Sequence, residues 1–204
     1  VILHPYDLDF QEQNQLFLFT WDYLVERISV CGGLADYLAE FITQFNYIPY
    51  LGEALMAVLF VVFQRACALS IGRSEWYALS FIAPVLMLVY MNDIYVMLCY
   101  LIALIIAVLL CALYRRHPGL LWAGIATMLG YWLIGPAIFV FTVFAALKER
   151  NWNSLILIAA AVLTVYASKW TYLQQYPWKT LAFGVNYYRH ALVVPPMQLV
   201  IAAM

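Results

Sequence analysis

The stretch IYVMLCYLIALIIAVLLCALY, Ile94 to Tyr114, runs for 21 residues without a charged side chain and ends at Arg115-Arg116. A bilayer's hydrocarbon core of about 30 Å needs about 20 apolar residues at about 1.5 Å per helical residue, so this stretch has the length and character of a spanning helix. Similar runs occupy Leu51 to Leu69, Trp76 to Met91, Gly119 to Leu147, Ser154 to Ser168 and Ala191 to Met204. The fold expected is therefore all-α, a polytopic bundle of about six to seven transmembrane helices over 50–204, preceded by an extracytoplasmic segment, 1–49. Pro84 is expected to kink the run from Trp76 to Met91.

The whole chain agrees with its apolar runs. Of 204 residues, 67% are hydrophobic and only 10% charged, where a soluble domain carries about 25% charged residues. Mean hydropathy is +0.86. With a net charge of -1 and no basic tract, the partners expected are membrane lipids and not nucleic acid. Cys31, Cys67, Cys99 and Cys111 show no C-x-x-C spacing, so they read as small apolar residues. The ends, Val1 to Asp7 and Ala191 to Met204, look like pieces of helices cut short.

Loop charges set the orientation. Arg65 and Arg73 flank one loop and Arg115 and Arg116 another, which assigns both to the cytoplasm. The run from Gly119 to Leu147 is about 43 Å long as one helix, and Gly135-Pro136 interrupts it. A hairpin at this pair is favoured over one tilted helix. It returns Lys148 and Arg150 to the cytoplasm and leaves Lys169, Lys179 and Arg189 outside.

The polar first quarter has helical periodicity. Phe10, Phe17, Trp21, Leu24 and Ile28 mark one apolar side from Phe10 to Val30, and Gly32-Gly33 ends the pattern. A second stretch, Leu34 to Phe45, sets Leu34, Leu38, Phe41 and Phe45 against a polar side of Asp36, Glu40 and Gln44. Both are expected to lie in the outer interface, with Trp21 and Phe41 facing lipid or the bundle.

Candidate chemistry gathers on that side. Asp7 and Asp9 can act as general base or bind a divalent cation, or one of them can cap the helix that follows. Glu12 and Glu53 are candidate substrate contacts, Glu53 also being able to snorkel to water, whereas Asp93 beside Asn92 suits a turn. His4 and His190 can join the two Asp residues around a metal. Lys179, Arg189 and His190 suit a phosphate headgroup, and Lys169 suits anionic lipid. Outer aromatics are best read as an interfacial belt.

The segments Glu12 to Phe17, Gly32 to Phe41, Gln44-Phe45 and Asn186 to His190 resemble an uncharacterised family of bacterial polytopic membrane proteins. That resemblance implies a bacterial inner membrane and a longer parent chain, with no activity attached. The layout is also similar, more distantly, to the GT-C class of membrane glycosyltransferases. It implies a polyprenyl-phosphate-linked sugar donor used at the outer leaflet, with Asp7 or Asp9 as the acidic catalytic residue. The competing expectation is a non-enzymatic membrane module, either a transporter fragment or a scaffold.

Overall fold

A computed structural model describes residues 17–48, 50–72, 74–92, 96–149, 152–171, 178 and 181. Among these the chain is all-α. Two helices, α1 (Trp21–Ile28) and α2 (Gly33–Thr43), form a cap; α3 (Leu51–Ile71), α4 (Ile82–Tyr90), α5 (Leu98–Arg116), α6 (Leu120–Ile134), α7 (Phe139–Lys148) and α8 (Trp152–Thr171) form the bundle. Short 3-10 turns follow α2, precede α4 and join α6 to α7.

Helix α5, apolar on every side, is the central element, as expected of a helix hydrophobic all round. Leu98, Leu101, Ile102, Ile105 and Tyr114 are buried along it, and Ile134, Ile138 and Phe141 from the α6–α7 region complete the core. The outward faces of α3, α4 and α8 are apolar too, exposing Val61, Leu86, Val89, Val162 and Leu163. An apolar surface of this kind is compatible with a membrane protein. Leu51–Ile71, Leu98–Arg116 and Leu120–Lys148 are each long and apolar enough to cross a membrane.

The third of these segments is folded back on itself. Thr127 Oγ1 on α6 lies 3.1 Å from Thr142 Oγ1 on α7, whereas 15 residues of straight helix would hold them about 22 Å apart. Gly135 makes the reversal at φ 74° and ψ -156°, a region essentially restricted to glycine. Gly130 lets the arms close, because a Cβ there would stand 2.5 Å from the Ile138 side chain. At the far end Lys148 Nζ donates to the Arg115 carbonyl at 3.2 Å, and the Tyr114 hydroxyl to Glu149. The expected hairpin is the arrangement found.

Opposite charges are in excess at the two ends. Arg115, Arg116 and Lys148, with Glu75 and Glu149, sit at the end where α3 and α5 finish, while the cap carries Asp22, Glu26, Asp36 and Glu40, with Arg27, at the other. Arg115 closes the first end by donating to the Leu69 and Ser70 carbonyls at 3.4 Å and to the Gly72 carbonyl at 3.2 Å, groups that the end of α3 leaves unsatisfied.

Three expectations need correction. The stretch expected as one helix from Phe10 to Val30 is interrupted: among the described residues, 17–20 are non-helical and a helix starts at Trp21, where Thr20 is extended and accepts from the Tyr23 N–H at 3.3 Å as N-cap. The run from Trp76 to Met91 is a 3-10 segment, Ser74–Phe81, followed by α4. Pro84 lacks an N–H and its ring crowds the carbonyl of residue 80, which disfavours an α-helical turn there, and the α-helix begins at Ile82. Finally, α2 is turned differently from its expected setting: Ala35, Ala39, Glu40 and Thr43 are buried, and Leu34, Leu38, Phe41 and Phe45 are half-buried.

Candidate functional site

The cap meets the bundle through its turn and through α2. The Gly32 N–H donates to the Trp132 carbonyl at 2.7 Å, Trp132 Nε1 returns a bond to the Ile28 carbonyl at 2.9 Å, and Cys31 Sγ donates to the Tyr131 carbonyl at 3.0 Å. These bonds seat the α1–α2 turn beside the tip of the α6–α7 hairpin. Helix α2 lies against α5, and its small side chains Ala35 and Ala39 are fully buried.

Between the two cap helices lies a cluster of charged and phenolic groups. Arg27 Nη2 is 2.5 Å from Glu40 Oε1, with 39% of the Arg27 side chain exposed against 6% of Glu40. Arg27 also donates Nε and Nη2 to the Tyr23 hydroxyl at 3.0 Å each, and that hydroxyl donates to Glu40. One turn before Glu40, Asp36 bonds with Cys99 of α5 and feels the charge of Arg27. Tyr23 and Arg27 are four residues apart, as are Asp36 and Glu40, so each pair shares one helix face.

Burial sets the electrostatics. It pushes the Asp36 carboxyl above its ordinary 3.8, against the pull of the Cys99 bond and the Arg27 charge. It raises Glu40 above 4.5 in the same way, with the Tyr23 hydrogen bond and Arg27 opposing. The Tyr23 phenol is raised as well, by burial first and then by its bond to Glu40. Removing these carboxylates from water therefore outweighs what Arg27 returns to them.

An aromatic roof covers the cluster. Phe17 packs its ring 4.8 Å from Phe19, 5.8 Å from Tyr23, 5.0 Å from Tyr37 and 5.5 Å from Phe41. Phe45 extends the group beyond Phe41 at 5.3 Å. Phe19 and Trp21 are each 74% exposed, which gives the cap an apolar outer surface.

The sequence-derived site residues fare unevenly. His4, Asp7, Asp9, Glu12, Asp93, Lys179, Arg189 and His190 lie outside the described residues. Glu53 occupies the first turn of α3, where its charge suits the helix dipole, and it is not part of the cap cluster. Among the described residues no group of three or more His, Cys, Asp or Glu side chains is placed to hold a metal. Leu181 is buried, and its carbonyl accepts from the Tyr131 hydroxyl at 3.3 Å. Leu181 therefore touches the bundle at the cap end.

The cluster of Tyr23, Arg27, Asp36, Glu40 and Cys99 was missed from sequence. Its signal was present in the two i, i+4 pairs on helices joined by Gly32-Gly33. A polar side read as solvent-facing concealed it.

No curated protein and no solved structure matches the chain, so the GT-C likeness gains no support. One family model does match, described as a family of unknown function (DUF6057), and it covers residues 1–204. This chain, all-α among its described residues and with Leu51–Ile71 and Leu98–Arg116 long and apolar enough to cross a membrane, is thus a member of the DUF6057 family of unknown function.

Proposed function

We propose that this chain is a multi-pass protein of a bacterial inner membrane, with its cap outside and Arg115, Arg116 and Lys148 in the cytoplasm, and that the cap serves as a non-enzymatic scaffold at the outer leaflet. The observation that carries this is the cap cluster. Arg27, Glu40 and Tyr23 satisfy one another and Asp36 is tied to α5, so these groups hold the cap in place and leave an aromatic surface outward. The excess of basic residues at one end supports the orientation.

A second proposal is a glycosyltransferase that uses a polyprenyl-phosphate-linked sugar, with Asp7 or Asp9 as base and Lys179 and Arg189 on the phosphate. It is favoured by Leu181, two residues after Lys179 in sequence, whose carbonyl accepts from Tyr131 at the cap end. In such a step the carboxylate takes the acceptor hydroxyl proton while the sugar carbon is attacked and the donor phosphate leaves.

Orientation is tested with Asp22→Cys and Lys148→Cys in intact cells. The native cysteines are all buried, so an impermeant thiol reagent should label Asp22→Cys and spare Lys148→Cys. Labelling of both, or the reverse pattern, overturns the orientation. Asp7→Asn and Asp9→Asn in the full-length protein separate the two roles. A loss of sugar transfer by about two orders of magnitude or more, in a folded variant, establishes the enzyme and removes the scaffold.

A further inference from the structure

At the opposite end from the cap, α3 and α5 leave a groove between them of about 510 Å³, within the roughly 300–1,000 Å³ of ligand sites. Its walls are Ala68, Leu69, Leu109, Ala112 and Leu113, and its mouth carries Arg115 and Arg116. Small side chains open the groove, and no carboxylate lines it among the described residues. We propose that this groove binds an anionic phospholipid, with one acyl chain along the apolar wall and the phosphate at Arg115 and Arg116.

The placement follows from charge and depth. Arg115 is pinned over the end of α3 by its bonds to Leu69, Ser70 and Gly72, so its positive charge is held at the mouth. Arg116 is exposed and makes no hydrogen bond or ion pair among the described residues. It is the donor left for a ligand, and a guanidinium matches a phosphate with paired hydrogen bonds. Lys148, on the Arg115 carbonyl, adds a third positive charge nearby. A second copy of the chain would bring the same positive charges to the mouth and be repelled, whereas an anionic headgroup is attracted. From Leu109 to Arg116 the wall rises about 10 Å, enough to take the upper part of an acyl chain below the headgroup. This inference rests on the membrane reading and is independent of what the cap does.

The test uses the full-length protein purified in a neutral detergent, with phosphatidylglycerol or phosphatidylcholine added and thermal unfolding as readout. Saturating phosphatidylglycerol should raise the Tm by roughly 5 °C or more, as expected of a ligand present at about a hundred times its Kd. Phosphatidylcholine should give little shift. Arg116→Gln should abolish the gain, Ala112→Trp should do so by filling the groove, and Arg65→Gln, outside the lining, should retain it. Equal shifts from both lipids, or an undiminished gain in Arg116→Gln, would overturn the proposal. So would a lipid-independent dimer that Ala112→Trp dissociates, since the groove would then belong to a second copy. Should Ala112→Trp fail to fold, Arg116→Gln against Arg65→Gln decides alone.

Discussion

Replacing Arg27 with Met removes the one cation of the cap cluster and keeps most of its apolar stem. Glu40, whose side chain is 6% exposed, then remains buried beside Asp36 with only the Tyr23 hydroxyl as partner. Removing one member of a fully buried ion pair costs about 3–5 kcal/mol, and of a surface pair about 0.2–1 kcal/mol. Arg27 is itself 39% exposed, so an intermediate cost of about 2 kcal/mol is expected for cap docking, equivalent to roughly 30-fold in an opening equilibrium. Helix α1 buries no side chain, which confines the loss to the cap. Amide exchange by mass spectrometry should show protection across Trp21–Ile28 falling by that factor while Leu98–Arg116 is unchanged. Adding Glu40→Gln to Arg27→Met should recover most of the protection, because the orphaned charge is gone and an amide can still accept from Tyr23. Unchanged exchange in Arg27→Met, or no recovery in the double variant, would refute the assignment of the cluster as the cap's fastener.

Asp36 makes a pH prediction. Its carboxyl is raised above 3.8 by burial, so the folded state binds its proton more tightly than the unfolded one. Its contribution is fully favourable below about 3.8 and is lost as pH rises through the raised folded value. Asp36→Asn should therefore match the parent's Tm at the acidic end and exceed it at neutral pH, and a parent that stays ahead at neutral pH would contradict this. In the hairpin, Gly135→Ala places a Cβ at φ 74° and should cost about 1–3 kcal/mol in thermal unfolding; a neutral effect would mean that the turn relaxes freely.

What was legible in the sequence followed from covalent constraints and long periodicity. Gly135-Pro136 announced the reversal because few residues tolerate that backbone, and Gly32-Gly33 marked the start of α2 to within a residue. The start of α1 was misplaced because Phe17 and Trp21 fit a helical stripe even though the chain between them is non-helical, with Thr20 extended. Thr20, a good N-cap, held the better signal. The direction of α2 was hidden for a deeper reason. Charge at Asp36 and Glu40 predicts exposure only when no partner arrives from elsewhere, and Arg27 and Tyr23 arrive from a different helix. Distance along the chain concealed the docking of Cys31 and Gly32 on Tyr131 and Trp132 as well, since nothing local to residue 31 points to residue 131.

The hairpin that closes at Gly135 has arms of limited reach. Helix α6 has 15 residues, a rise of about 22 Å, which falls about 8 Å short of an average hydrocarbon core. Under the proposed membrane placement, the bilayer around these arms would thin locally, at a fraction of a kcal/mol for each Å. The neighbourhood of the hairpin should therefore enrich in short or unsaturated chains. The protein would drift laterally toward thin regions of its membrane and unfold more readily as the acyl chains around it lengthen.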